Sequence, residues 1–228
     1  MAEAVVLLSG GLDSSTVLAI ASEKGYEIVA LTFDYGQKHK RELNSARKIA
    51  KHFRVKEHLV VPLKIGELLK SSLTSKVMAI PQRESLDHAS TGIPSTYVPS
   101  RNIIFLSIAA SVAESRGAQA VYIAANSVDF SGYPDCTPEF ITAFQKVLDV
   151  GTKAGKEGNG ITVEAPILTR SKAEIVKEAV RLKVPLELTW SCYKGGAKAC
   201  GRCDSCLLRL EGFSKAGVKD PLEYEVIQ

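Results

Sequence analysis

The hydrophobic positions of residues 1–63 form three short apolar runs separated by two stretches with helical periodicity. Residues 3–8, 27–35 and 56–63 are apolar runs of strand length, as expected for strands buried on both faces. Residues 13–24 and 38–53 have helical spacing, and the second has a polar face. This β-α-β-α-β order predicts a parallel sheet with helices on both faces.

Three further elements are predicted beyond residue 100. Residues 101–117 have helical spacing and are apolar nearly all round, which favours a buried helix. Residues 118–125 and 161–168 are apolar runs that would extend the sheet to five strands. The pattern therefore predicts an α/β fold, a Rossmann-like parallel sheet with helices on both faces.

Two more helices are predicted from their first residues. Thr137 is a typical N-cap residue, and Pro138 suits the first helical position. Ser171 and Glu174 have the spacing of a capping box, so a helix is expected over residues 172–183. Residues 64–98 combine one short helix candidate with several prolines and glycines, and we expect them to form an excursion from the sheet, partly loop.

Composition and charge narrow the class of protein. The net charge is only +4, and 45% of the residues are hydrophobic, which is ordinary for a soluble globular chain. No apolar stretch is long enough to cross a bilayer, and no secretory signal is recognisable, so we expect a cytoplasmic protein without membrane contact. The basic cluster of Lys38, Lys40 and Arg41 is interpreted as a solvated helix face, so no direct nucleic-acid partner is expected.

The stretch "VVLLSGGLDSST" after the first predicted strand has the features of a phosphate-binding loop. Gly10 and Gly11 let the backbone approach an anion, and the hydroxyls of Ser9, Ser14 and Ser15 add donors. The helix that follows presents free N–H groups and the positive end of its dipole. In a parallel sheet, ligands bind beyond the carboxyl ends of the strands, which is where this loop would lie.

This loop differs from the two commonest phosphate loops. No lysine follows the glycines, and the Gly-x-Gly-x-x-Gly pattern is absent. Ser-Gly-Gly-x-Asp-Ser instead resembles the loop of the ATP pyrophosphatases, which cleave ATP between the α and β phosphates and adenylate a substrate oxygen. Because a carboxylate beside phosphate requires a cation, Asp13 is expected to serve a Mg²⁺ ion.

Four of the five cysteines are clustered near the C-terminus, as Cys192, Cys200, Cys203 and Cys206. Clustered cysteines in a cytosolic protein indicate a metal site rather than disulfides. Four thiolates fill a tetrahedral zinc site and leave no open position, so a structural zinc ion is predicted. An iron–sulfur cluster is the alternative, because four cysteines serve both.

Six stretches together resemble the 7-cyano-7-deazaguanine synthase family. They are "SGGLDSST", "FDYGQKHKREL", "YVPSRNIIFLSIAAS", "NSVDFSGYPDCTPEF", "LTWSCY" and "CGRCDSCLLR". The resemblance extends from residue 5 to about residue 213. It implies an adenine-nucleotide-hydrolase-like α/β domain over residues 1–187, with 64–98 as an insert, and a zinc-binding segment over 188–228.

The resemblance also implies a reaction. In this family 7-carboxy-7-deazaguanine and ammonium become the 7-nitrile, with ATP consumed as co-substrate in two adenylation steps, in the pathway to queuosine. A carboxylate is a poor electrophile, and adenylation turns its oxygen into a leaving group. Ammonia then gives an amide, and adenylation of the amide oxygen lets the nitrile form. The implied partners are the deazapurine acid and ammonia, and the implied assembly is a homodimer with residues 101–117 or the insert as interface.

Site roles follow from the same resemblance. The expected phosphate and metal ligands are Ser9, Gly10, Gly11, Leu12, Asp13, Ser14 and Ser15. The expected adenosine site consists of the Leu8 backbone and the edge formed by Phe33 and Asp34. Asp129, Phe130, Tyr133 and Asp135 are expected to bind the deazaguanine. Asp13, Ser14, Arg101 and Asp135 are the expected catalytic residues.

Alternatives remain open at several positions. Arg101 could form a surface ion pair rather than neutralise a phosphate or carboxylate. Lys172 could reach a phosphate, but we expect it to be a solvated lysine at a helix start. A transfer-RNA base thiolase with the same loop is the second function, which would need a basic surface and a reactive cysteine. A zinc-dependent binding module without catalysis is the third, and it leaves the phosphate loop unexplained.

Overall fold

The computed structural model describes residues 1–86, 92–128 and 132–225, and these ranges contain a five-stranded parallel sheet. The strands are β1 (Glu3–Leu7), β2 (Glu27–Asp34), β3 (Glu57–Pro62), β4 (Ala120–Tyr122) and β5 (Thr162–Glu164). Their order is β3-β2-β1-β4-β5, so the direction of winding reverses between β1 and β4. Such a reversal opens a crevice at the carboxyl ends of the strands, where ligands bind in doubly wound sheets.

Seven α-helices surround the sheet in the described ranges. They are α1 (Leu12–Glu23), α2 (Arg41–His52), α3 (Arg101–Arg116), α4 (Pro138–Gly151), α5 (Lys153–Lys156), α6 (Lys172–Arg181) and α7 (Asp204–Ala216). The predicted N-caps are confirmed: the Thr137 hydroxyl accepts the Phe140 N–H, and Ser171 with Glu174 forms a complete capping box.

The sheet separates two hydrophobic layers. One contains side chains of α1, α2, α6 and α7 packed against alternate strand residues such as Val6 and Ala30. The other contains side chains of α3 and α4 packed against Val5, Leu31 and Val121. The expected α/β sheet with helices on both faces is therefore confirmed.

Several predicted boundaries are wrong. β4 and β5 have three residues each, because the chain leaves the sheet at Ile123 and turns after Glu164. α2 begins at Arg41 rather than at residue 38, since the Lys38 N–H donates to the Leu73 carbonyl 3.0 Å away. The pattern also did not predict α7, which begins inside the cysteine cluster.

The expectation that α3 is buried on every side is also wrong. Its Leu106 and Ala109 face the core, whereas Ile103 is 42% exposed and Ile108 is partly exposed. One face of α3 therefore lies against the sheet, and an apolar face remains accessible within the described part of the chain.

Between Pro62 and Arg101 the described residues form turns without a regular helix, so the short helix candidate is wrong. The segment folds back on itself through the Ser72 N–H, which donates to the Ser95 carbonyl at 2.8 Å. It also reaches the cysteine region, where Arg83 forms an ion pair with Asp204 at 3.2 Å. No helix in the described ranges is long and apolar enough to span a membrane.

Candidate active site

A cavity of about 280 Å³ lies at the carboxyl ends of β1, β2 and β4, where the winding of the sheet reverses. Its walls come from the loop after β1, the start of α2, the start of α3 and the segment before the cysteines. Residues from distant parts of the chain, such as Asp13, Arg101 and Lys172, meet here. The cavity therefore combines the predicted phosphate loop with four of the other predicted site residues, Leu8, Phe33, Arg101 and Tyr133.

The loop between β1 and α1 presents free backbone donors to the cavity. Gly11 is the N-cap of α1, and no side chain caps the first N–H groups of that helix. Inside the loop, the Ser14 hydroxyl accepts the Ser9 N–H at 3.2 Å and lies 2.9 Å from the Ser9 hydroxyl. An uncapped helix start with adjoining hydroxyls can bind a phosphate group.

Ser15 and Gly10, which were both assigned to the phosphate loop, contact other parts of the protein. The Ser15 hydroxyl is buried and donates to the Gly11 carbonyl at 2.7 Å, and Ser15 does not line the cavity. Gly10 has a φ of +87°, and a Cβ there would lie 2.4 Å from the Ala46 nitrogen and 2.5 Å from the Glu42 carbonyl oxygen. Gly10 thus allows the loop to pack directly on the first turn of α2.

The Asp13 carboxylate is paired with Lys172. The Lys172 ammonium lies 2.8 Å from both carboxylate oxygens, and its side chain is only 13% exposed. The expectation of a solvated lysine at position 172 is therefore wrong. Because α7 has a glycine at position 212, the lysine stem passes closely over that helix on its way to the loop. Lys172 thus places an ammonium group beside the phosphate loop, whose own sequence contains no lysine.

We expect Lys172→Met to raise the KM for ATP at least about tenfold, because a charge-assisted contact near the phosphates is removed. The variant also leaves Asp13 without its partner, so anion binding should weaken further. Initial rates of pyrophosphate release at varied ATP would measure the effect. Lys177→Met, on the exposed side of the same helix, is the matched control. Equal KM values for the two variants would contradict the assignment.

Arg101 enters the cavity from the first residue of α3 and does not form a surface ion pair among the described residues. Its guanidinium is near enough to the Tyr35 hydroxyl to interact with it electrostatically. Burial opposes the charge, but Tyr35, Tyr133 and Asp135 more than offset this and raise the pKa of Arg101 above its ordinary value. Arg101 therefore stays cationic and can neutralise a phosphate or a carboxylate.

Glu42 is a cavity residue that the sequence analysis missed. It lies in the first turn of α2, lines the cavity, and has no hydrogen-bond partner for its carboxylate among the described residues. Burial raises the pKa of Glu42 to about 7; Arg101 opposes this rise and the nearby Cys192 adds to it. The one sequence signal was an acidic residue inside the "FDYGQKHKREL" stretch, which also fits an ordinary first turn of a helix.

Of the predicted substrate residues, one lines the cavity and another lies behind its wall. Tyr133 lines the cavity, and its hydroxyl lies 2.7 Å from that of Thr96. Asp135 is buried behind the cavity wall, where its carboxylate accepts the Asn102 N–H at 3.0 Å at the start of α3. Asp129 and Phe130 lie outside the described residues. Direct contact between Asp135 and substrate stays a prediction, while its contact with α3 positions Arg101.

Only part of the predicted adenosine site lines the cavity. Leu8 and Phe33 line the cavity, and Phe33 stacks on Phe105 with ring centroids 4.1 Å apart. The Leu8 N–H, however, donates to the Leu31 carbonyl within the sheet at 2.9 Å and is not free to bind a base. Asp34 pairs with Lys40 at 2.8 Å and is absent from the cavity lining among the described residues. The Phe33–Phe105 wall is the apolar surface suited to a flat ring.

The four predicted metal ligands form one compact group. The Sγ atoms of Cys192, Cys200, Cys203 and Cys206 all lie within 4.8 Å of one another, and all four residues are buried. Hydrogen bonds from the Cys203 and Cys206 thiols lower the pKa of Cys192, whose sulfur also accepts the Cys200 N–H at 3.3 Å. Tetrahedral zinc–sulfur bonds of about 2.3 Å imply sulfur separations of about 3.8 Å, and this group fits one such ion.

The cysteine segment supports the phosphate loop. The Trp190 N–H donates to the Gly10 carbonyl at 2.9 Å. Arg209 of α7 is 1% exposed, contacts Thr189 at 2.8 Å and forms a bidentate ion pair with Asp220. A continuous set of contacts therefore joins the cysteine group, α7 and the phosphate loop.

The chain is similar to known proteins along nearly its whole length. Residues 3–217 match the family described as "Queuosine biosynthesis protein QueC". The 7-cyano-7-deazaguanine synthase 2 of Desulfitobacterium hafniense (strain Y51) is 53% identical over 98% of this chain and 94% of its own. The 7-cyano-7-deazaguanine synthase of Thermoplasma acidophilum is 53% identical over 98% of this chain and 92% of its own. Among solved structures, the NMN synthetase of Francisella tularensis covers 96% of this chain and 74% of its own, with 16% identity and a TM-score of 0.44.

Proposed function

Since the chain belongs to the QueC family of queuosine biosynthesis proteins, we propose that it converts 7-carboxy-7-deazaguanine and ammonium into 7-cyano-7-deazaguanine. It is an ATP-dependent enzyme of the ligase type. The observation that carries the proposal is the 53% identity to a named 7-cyano-7-deazaguanine synthase over 98% of the chain. The phosphate loop, the cationic cavity and the cysteine group are consistent with that chemistry.

The reaction has two activation steps in one cavity. A carboxylate oxygen attacks the α-phosphate of ATP, pyrophosphate leaves, and the acyl adenylate forms. Ammonia displaces AMP and gives the primary amide. The amide oxygen then attacks a second ATP, and loss of AMP and protons from the adenylated amide leaves the nitrile. Both steps need a site that binds the phosphates of ATP and excludes water.

The residues of the cavity can be assigned to these steps. The free N–H groups at the start of α1 and the hydroxyls of Ser9 and Ser14 would hold the departing pyrophosphate. Lys172 would neutralise charge on the phosphates, and Arg101 would bind the substrate carboxylate or the α-phosphate. Phe33 with Phe105 would accept a flat ring, and Tyr133 would contact the deazaguanine. Asp135 would act through the start of α3.

The enzyme would bind two kinds of metal ion. Asp13 is the carboxylate beside the phosphate loop, and it would bind the Mg²⁺ ion that accompanies ATP once Lys172, which holds both of its oxygens here, turns to the phosphates. The cysteine group would hold one structural zinc ion; an iron–sulfur cluster is the alternative outcome. In a four-iron cluster each cysteine binds a different iron atom, which separates the sulfurs more widely than the 4.8 Å limit here. Elemental analysis separates the two.

We also propose a domain organisation, an oligomeric state and a cellular location for the chain. We assign residues 1–187 to a nucleotide-binding domain with 64–98 as an insert, and 188–228 to a zinc-binding segment packed on it. A separate hydrophobic cluster around Trp190 and the four cysteines supports this division. A homodimer would cover the accessible apolar face of α3 at Ile103. We place the protein in the cytoplasm and expect no direct nucleic-acid partner.

A product assay tests the function. We expect purified protein with ATP, Mg²⁺, ammonium and 7-carboxy-7-deazaguanine to give the nitrile and AMP by mass spectrometry. The amide should appear before the nitrile in early samples. Pyrophosphate release without amide or nitrile would contradict the substrate assignment, and the same assay with transfer RNA and a sulfur donor then tests the thiolase alternative.

A further inference from the structure

The proposed reaction brings a cation, ammonium, into a cavity built to bind anions. Lys172 and Arg101 line the cavity and would repel ammonium unless a carboxylate attracts it. A site for the nitrogen nucleophile therefore needs a negatively charged side chain next to the acyl adenylate. This requirement limits the candidates to the acidic residues of the cavity wall.

Two carboxylates line the cavity among the described residues, and they differ in their partners. Both oxygens of Asp13 are bonded to Lys172 at 2.8 Å. Glu42 lines the cavity and has no hydrogen-bond partner among the described residues, so its carboxylate is open to a ligand. A carboxylate with free acceptors in a partly enclosed cavity is suited to a small N–H donor that carries a positive charge.

The backbone places Glu42 next to the phosphate loop. Its carbonyl oxygen would be 2.5 Å from a Cβ on Gly10, so the first turn of α2 lies directly on the phosphate loop. Its carboxylate is also near enough to Arg101 to interact with it electrostatically. Glu42 is thus adjacent to the loop that would hold pyrophosphate and to the cation that would hold the substrate carboxylate.

Resting on the function proposed above, we infer that the Glu42 carboxylate binds the ammonium ion and accepts one of its protons before the nitrogen attacks. The ammonia lone pair then forms a C–N bond with the acyl carbon of the adenylate. The C–O bond to AMP breaks and its electrons leave with the phosphate, while water takes the second proton from nitrogen. The products are the amide, AMP and two protons.

Burial and charge at Glu42 agree with this role. Burial in the cavity wall raises the pKa of Glu42 to about 7. A carboxyl group with such a pKa is largely ionised slightly above neutral pH and can still hold a proton for part of the cycle. An ordinary exposed glutamate would be a weaker proton acceptor.

The first test is Glu42→Gln, which keeps the shape and removes the charge. We expect the KM for ammonium to rise about 10–100-fold, with a lower kcat for amide formation. Exchange of labelled pyrophosphate into ATP, run with the acid substrate and without ammonium, should stay within about twofold of the unmodified enzyme. The matched control is Glu139→Gln, which removes an exposed acid from the first turn of α4.

Two further measurements separate this role from others. Hydroxylamine is uncharged near neutral pH and needs no carboxylate to bind or deprotonate it, so Glu42→Gln should form the hydroxamate at nearly the unmodified rate. A raised KM for the acid in pyrophosphate exchange would overturn the inference, because Glu42 would then bind the deazaguanine. An unchanged KM for ammonium would also overturn it. If the unmodified enzyme forms neither amide nor nitrile, the proposed function itself fails, which is a distinct result.

Discussion

Gly10→Ala is expected to abolish measurable ATP use and to lower the melting temperature by about 10 °C. The residue at this position has a φ of +87°, and an added Cβ would lie 2.4 Å from the Ala46 nitrogen and 2.5 Å from the Glu42 carbonyl oxygen. Both of those atoms belong to the backbone of α2, so no side-chain rotation can relieve the overlap. The loop must move away from α2 or the helix must shift.

The size of the effect follows from two separate costs. Forcing a non-glycine residue into the left-handed region costs about 1–2 kcal/mol. Overpacking against a fixed backbone costs about 1–3 kcal/mol more. For a chain of this length each kcal/mol lowers the melting temperature by about 2–4 °C. A displacement of the phosphate loop by about 1 Å would in addition reduce turnover about 100-fold or more.

Gly25→Ala is the matched control for this prediction. Gly25 has a φ of +84°, and a Cβ there would have no atom within 4 Å. It therefore isolates the backbone cost from the steric overlap. Differential scanning fluorimetry and pyrophosphate exchange on both variants would measure the two costs separately. Equal losses in the two variants would show that the contact with α2 does not position the loop.

Much of the fold could be predicted from the sequence because the strands are buried on both faces. Val5, Val29 and Val121 lie in apolar runs bounded by polar turns, and such runs are read directly as parallel strands. The lengths of β4 and β5 could not be predicted in this way. Residues after Tyr122 and Glu164 remain apolar because they line the cavity wall or the core, so hydrophobicity continues where strand pairing ends.

The candidate site was predictable where its chemistry is local. The phosphate loop and the cysteine group are each specified by a few neighbouring residues, and the structure brings the residues of each together. Lys172 was wrongly expected to be solvated and Glu42 was missed, because the setting of each depends on a partner far along the chain. Lys172 is opposite Asp13 only because α6 packs beside α1, and Glu42 faces Arg101 only after the sheet has formed.

Cys206→Ser is expected to have the second large effect, through the metal group. Cys206 is 1% exposed and its sulfur lies 3.9 Å from that of Cys200. A serine hydroxyl is a much poorer ligand than a thiolate, so the bound metal should fall well below one ion per chain. Structural zinc contributes about 10–16 kcal/mol in small zinc domains, and a loss of even about 3–5 kcal/mol would lower the melting temperature by about 10 °C here.

The same change should reach the phosphate loop, although Cys206 does not line the cavity. Loss of the metal loosens the start of α7, and with it Arg209, which holds Thr189. Trp190 would then lose its position against the Gly10 carbonyl, so we expect pyrophosphate exchange to fall at least about tenfold. Cys136→Ser is the control for metal content, because Cys136 is buried but lies outside the cysteine group. A Cys206→Ser protein that lacks metal yet keeps its stability and exchange activity would show that the cysteine segment folds and supports the loop without an ion.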